Sequence, residues 1–162
     1  MRQPHLIAIA KFIRDLLSHD EQLIKFDRED APEADFNSGY IVVNGSGIAI
    51  KKGSGSKFDP VSEKITYNDY YSQSVTLEFY GDDAYINSRN FSILSESQAA
   101  LELKKTLGLS ISRVLNTLDV KQILGSMYGN RVHLTFSVSY FPSIEVATLR
   151  IDTAQFEFIE DR

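Results

Sequence analysis

The chain has no cysteine and no tryptophan, and only three histidines and two methionines among its 162 residues. Without cysteine there is no disulfide, no thiolate nucleophile and no cysteine-based zinc site. His5, His19 and His133 stand apart in the sequence. None forms a His-x3-His pair or lies beside a glutamate at metal-ligand spacing. Positive charge is also short: 17 Lys and Arg against 22 Asp and Glu leave a net charge of −5. A sequence-independent nucleic-acid binder needs a basic footprint to displace counterions, so the charge argues against that class. An acidic wall past which DNA slides is compatible, because it repels phosphate. No run approaches the ~18 consecutive apolar residues of a membrane span. The opening MRQPHLIAIAKFIRDLL is interrupted by Lys11, Arg14 and Asp15, with no small-residue cleavage site behind it. It reads as a helix rather than a signal peptide, and the expected site of folding is a cytoplasm. The sequons Asn44-Gly45-Ser46 and Asn90-Phe91-Ser92 carry no weight there.

What is present is an ordinary globular composition, 43% apolar with ten Phe and eight Tyr. A chain of this length is expected to form one domain, residues 1–162, with a substantial core. Leu6, Ile9, Ala10, Ile13, Leu16 and Leu17 recur at helical spacing, predicting an amphipathic helix over 5–18. Residues 27–35 form an acidic loop around one proline. Strands are expected at 40–43 and 48–51, with Asn44-Gly45 as a hairpin turn between them. Residues 51–62, KKGSGSKFDPVS, read as a flexible Gly/Ser-rich connection.

The clearest local signal lies at 69–84. Val75, Leu77 and Phe79 alternate with Thr76, Glu78 and Tyr80, and the strand stops at Gly81. It begins near Ile65 or Ser72. A long helix over about 83–103 follows, with Ala84, Ser88, Phe91, Leu94, Ser95, Gln98 and Leu101 along one side. Gly108 ends it, and 109–124 are short helical or irregular. A second alternation, Val132, Leu134, Phe136, Val138 and Tyr140, stops at Pro142. A last strand over 148–159 slips phase near Thr153-Ala154. It is expected to form an antiparallel hairpin with 131–140. The fold class is α+β, a small antiparallel sheet flanked by an N-terminal helix and a long central helix.

The search for chemistry yields no catalytic, cofactor-binding or metal residue. NGSGIAIKKGSGSK fails the phosphate-loop spacing, and Ile50 occupies the third glycine position of a dinucleotide fingerprint. Lys51, Lys52 and Lys57 are left as contacts to an acidic partner or a DNA backbone, against the simpler mobile loop. The carboxylates Asp27, Glu29, Asp30, Glu33 and Asp35 lack calcium-loop spacing. Asp82 and Asp83 read as helix N-cap groups. His133 reads as a surface imidazole. No Gly-x-Ser-x-Gly elbow exists.

Several features together resemble the neck or tail terminator proteins of tailed bacteriophages. They are the strand ending in Phe79-Tyr80-Gly81, the helix with Ala84, Ser88 and Leu94, and the Gly108-Leu109 segment. Tyr128-Gly129-Asn130-Arg131 leading into an apolar strand, and the final strand over 151–159, complete the set. The resemblance spans roughly 1–160 and is strongest over 69–160. It implies a structural virion protein with no enzymatic activity and no cofactor. It implies a ring, usually of six copies, on the end of the tail tube in the virion neck. Such a ring stops tube polymerisation and offers a surface to the head connector. Its implied partners are its own copies, the tail tube protein, the connector or stopper protein and a sheath protein. DNA passes through the channel without specific binding, and no membrane is involved. Six copies at −5 each carry about −30, which suits a channel that DNA traverses. Phe156 and Phe158 are expected in subunit contacts. The alternatives are another head–tail joining or tail-completion protein, and a non-enzymatic partner-binding α+β domain.

Overall fold

The computed structural model describes residues 4–26, 39–120, 122–124 and 127–147. Helix α1 (Pro4–Leu17) buries His5, Ile9, Phe12 and Ile13, which share one face at helical spacing. Proline is tolerated at its start because first-turn N–H groups have no helical partner. The helix ends with Ser18 at φ 51°, while His19 N–H reaches the Arg14 carbonyl at 3.0 Å. A serine thus takes the left-handed position usually given to glycine. The remaining elements are β1 (Ile24–Phe26), β2 (Ile41–Asp59), β3 (Lys64–Tyr80), α2 (Ala84–Leu94) and α3 (Gln98–Thr106). Then come β4 (Ser110–Ile111), β5 (Asn116–Asp119), β6 (Gln122–Leu124), β7 (Met127–Gly129), β8 (Arg131–Tyr140) and β9 (Ser143–Ala147).

The main sheet is ordered β1-β2-β3-β8-β4, with β5 also on β8 and β9 also on β3. Its ladders are antiparallel except β1 with β2, which are parallel. β6 and β7 form a separate two-stranded pair. The α+β class therefore holds, with one parallel strand added at an edge.

The core lies between this sheet and the helices. Val75, Leu77 and Phe79 of β3 and Val132, Leu134, Phe136 and Val138 of β8 are all buried on one face. Phe91 of α2 joins the layers, with ring centroids 6.2 Å from Phe12, 6.2 Å from Phe79 and 5.8 Å from Phe136. Full burial of such a side chain stabilises by roughly 1.5–3 kcal/mol. Gly81, at φ 95°, makes the turn from β3 to α2 that side chains other than glycine's resist. No helix among the described residues is long and apolar enough to cross a membrane.

Four sequence expectations are corrected. The long helix over 83–103 is two helices. Ser88, Ser92 and Ser95 hydroxyls bond back to carbonyls within α2, which weakens helix continuation. Ser97 then caps α3 by accepting from Ala100 N–H at 3.2 Å. Leu94 and Leu101 consequently leave the buried stripe and stand 38% and 54% exposed. The end of α3 at Gly108 is as expected: Gly108 has φ 64°, and Leu109 N–H bonds to the Lys104 carbonyl.

Asn44-Gly45 is not a turn. β2 runs straight through it, and a Cβ on Gly45 would meet Leu6 of α1 at 3.3 Å and Gln73 at 3.0 Å. Glycine is there to let the helix approach. The supposed flexible connection at 51–62 is strand as far as Asp59, paired with β3 down to Lys64. The real turn is at the tip. There the Asp59 carboxylate accepts from Val61 N–H at 3.0 Å and Ser62 hydroxyl at 2.6 Å. Those bonds hold the Asp59 carboxyl below its usual range.

Within 109–124, β4 and β5 lie on the β8 edge and β6 is paired with β7, so the segment contains strand rather than helix. β8 does end ahead of Pro142, as expected, but pairing along β3 resumes beyond it. Tyr71 pairs Tyr140, Asp69 N–H bonds to the Pro142 carbonyl at 3.1 Å, and Asn68 pairs Ser143. β9 is thus β8 continued in register along β3. The strand expected over 148–159, with Phe156 and Phe158, lies outside the described residues, as does the acidic segment 27–35.

Candidate assembly surface

Residues 50–59 of β2, 64–72 of β3 and 139–147 of β8 and β9 form a three-stranded ribbon. It extends the body's sheet past the helices. Two irregularities set it off. Ser46 pairs Ser74 while Ile50 pairs Ser72, and Lys51 pairs Tyr71 while Gly53 pairs Tyr70. Both are bulges in β2, which bend a strand and increase its twist.

β3 itself is unbulged and keeps one register with β8 and β9, so its face can be followed from body to ribbon. Val75, Gln73, Tyr71, Asp69, Tyr67 and Ile65 share a side, because side chains alternate along a strand. Their cross-strand partners extend that side: Phe58 and Val146 flank Ile65, and Ile144 flanks Tyr67. In the body this face lies under helices. In the ribbon Phe58 is 43%, Tyr67 50%, Ile144 68% and Val146 47% exposed. The opposite face carries Lys57, Thr66, Asn68, Glu145 and Lys64, with Lys64 3.2 Å from Glu145, and nearer the body the exposed Tyr70 and Phe141. Beyond Tyr70 the ribbon is amphipathic, with its apolar side bare. Tyr70 stacks on Phe141 at 4.9 Å and its hydroxyl meets Ser139 at 3.1 Å, tying the strands together.

The basic residues named from sequence fall here. Lys51 pairs with Asp69 at 2.7 Å, which raises its pKa. Lys52 and Lys57 are exposed on the same strand.

At the ribbon's foot a cleft of about 600 Å³ opens between α1, the α3–β4 turn and the end of β8. Pro4, His5, Ala8, Leu107, Tyr140 and Pro142 line it. His5 is buried, stacks on Tyr140 at 4.1 Å and hydrogen-bonds Gln73 Oε1 through Nε2. An amide oxygen only accepts, so Nε2 carries the proton. Burial lowers the His5 pKa, and the Gln73 bond only partly offsets this.

The other histidine beside the sheet is also not a surface group. His133 Nε2 lies 3.8 Å from Glu78 Oε2. Glu78 is 1% exposed and accepts from Arg131 Nη2 at 2.6 Å and Tyr80 hydroxyl at 2.7 Å. Burial, then the bond to Glu78, pushes the Tyr80 phenol up. Tyr80 stacks on Tyr40 at 4.4 Å, with the Arg131 guanidinium 5.1 Å from its ring centre. The cluster bonds β3 to β8 on the face away from the helices. Alternation had placed Glu78 and Tyr80 on a polar face without showing that this face is covered.

Asp82 and Asp83 are exposed. Asp83 occupies the N-cap position of α2 but its side chain makes no capping bond. That corrects the capping role expected for the pair. His19 follows α1, its N–H bonded to the Arg14 carbonyl. Among the described residues no group of three or more His, Cys, Asp or Glu could hold a metal ion.

The surface that sequence reasoning missed is the ribbon. Its signal was present: Ile65, Tyr67 and Tyr71 are in phase with Val75, and Ile144 and Val146 with Val138 across Pro142. A comparison with curated proteins finds no match. The family model for phage neck terminator proteins matches residues 7–162, and the chain belongs to that family.

Proposed function

We propose that copies of this chain join as a ring of six on the end of the phage tail tube, stop its polymerisation and present their other side to the head connector. Phage neck terminators are structural proteins of the tail and neck, so function lies in surfaces. The observation that carries this reading is the bare ribbon. It is ordered by strand pairing, apolar on one side and uncovered. An apolar sheet face left exposed in a folded chain marks an interaction site. Its outer strand edges, β2 beyond Val43 and β9, have no partner strand among the described residues. Such edges invite pairing or covering by another chain. The net charge of −5 per copy suits a channel that DNA must pass without adhering. The mechanism is geometric: the ring matches the last tube layer on one side and offers no equivalent layer on the other.

Deletion of the gene tests this. Heads and tails that fail to join, or tubes of abnormal length, are the expected result. Normal infectious particles without the protein would refute it.

A further inference from the structure

The chain carries a second bare apolar surface, on the outward side of α2. Tyr85, Ile86 and Ile93 are 64%, 56% and 61% exposed. Tyr85, Arg89 and Ile93 follow one another at four-residue spacing, with Ile86 beside them, so they form one stripe. The buried residues Ala84, Ser88 and Phe91 lie on the opposite side, against the sheet. The stripe therefore faces away from the part of the sheet that α2 covers. Arg89 at its centre makes no ion pair among the described residues.

We infer that the ribbon's apolar face receives the outward stripe of α2 from a second copy of this chain, an inference that rests on the ring reading above. Three observations carry it. The first is the kind of surface. In the body the same sheet face is covered by helices, so its continuation has the chemistry to pack another helix. The second is size. From Ile65 to Asp69 the ribbon face spans four residues, about 14 Å at strand rise. From Tyr85 to Ile93 the stripe spans eight, about 12 Å at helix rise. The third is charge. The stripe holds a single cation, Arg89, and the ribbon face holds Asp69, whose side chain is one-third exposed. A carboxylate accepts more bonds than the two it makes to Lys51 and Tyr71. Arg89 docked there meets Asp69 beside the face of Tyr67, a site for guanidinium stacking. Because the two surfaces differ, the contact is head-to-tail, the kind that closes into rings.

The absence of native cysteine makes the test direct. Tyr67→Cys and Ile93→Cys are prepared singly, mixed, and treated with a short bis-maleimide. The expected product is a dimer joining one variant to the other, with neither variant linking to itself. Ile144→Asp should weaken self-association about tenfold or more with the melting temperature unchanged. Tyr67→Cys linking to itself, or no linkage although the protein sediments as an oligomer, would overturn the inference and leave the ring standing. Ile144→Asp that self-associates normally but no longer attaches to tube ends would assign the ribbon to the tube instead, and also overturn it. A protein that stays monomeric with and without tail tubes would overturn both readings.

Discussion

The body and the ribbon are two stretches of the same sheet. In the body β3 lies between β2 and β8, with Leu77 and Phe136 fully buried under the helices. In the ribbon the same β3 lies between β2, whose register has shifted at two bulges, and β9, which keeps the register of β8, with Tyr67 and Ile144 half-exposed or more. On either side of the two β2 bulges the strands are paired residue by residue, so strand pairing within each region does not distinguish them. What differs is cover. The body's apolar side chains hold the fold, whereas the ribbon's remain available to something outside the chain.

The sharpest way to break this contrast is to truncate one apolar residue in each region. Phe136→Ala should destabilise the protein by about 3–5 kcal/mol in denaturant unfolding. Ile144→Ala should change it by less than about 0.5 kcal/mol. Equal losses would mean that the ribbon shares the core.

The ion pairs offer a second contrast. Arg131 with Glu78 has side chains 10% and 1% exposed; Lys64 with Glu145 has 47% and 61%. Arg131→Met leaves a buried carboxylate facing Tyr80 and should cost about 3–5 kcal/mol. Lys64→Met should leave the thermal midpoint almost unmoved, because exposed pairs are screened.

A smaller effect separates the two caps of the helical layer. Ser97→Ala removes a capping bond and should cost about 1 kcal/mol. Asp83→Ala removes none and should stay within about 0.5 kcal/mol. Thermal melts of both variants resolve the order.

The smallest effect is at the join between body and ribbon. Burial holds the folded His5 pKa below the 6.5 of a free imidazole. The unfolded chain therefore takes up the proton first as pH falls. The stability from neutral His5 is present above pH 6.5 and declines as pH drops from there towards the lower folded value. Urea midpoints across that window should fall more for the parent than for His5→Gln. Parallel curves would show that His5 is not set by burial.

How far these regions could be read from sequence follows from the same contrast. The strand at 75–80, its stop at Gly81, the strand at 131–140 and the helix end at Gly108 are local signals, and each is where it was expected. The ribbon was missed on its β2 side because Gly53, Ser54, Gly55 and Ser56 have low strand propensity. Their conformation comes from pairing with β3, a long-range effect. Pro142 looked like a terminator, yet only its N–H is missing and its carbonyl still accepts from Asp69. Glu78 and His133 fell on the polar phase of their strands. Alternation shows which side chains share a face and is silent on whether that face is covered. Family membership was legible because it draws on the whole pattern, although no motif in it carries chemistry.

The central claim is that the ribbon serves assembly and the body serves stability. It is tested most directly with Phe58→Ser, Tyr67→Ser and Ile144→Ser combined in one variant. Its melting is measured beside electron microscopy of tail tubes completed with it. The expected result is a melting temperature within about 2–4 °C of the parent, and tubes that overgrow and carry no terminal ring. A variant that melts far lower, or one that still caps tubes of normal length, would contradict it.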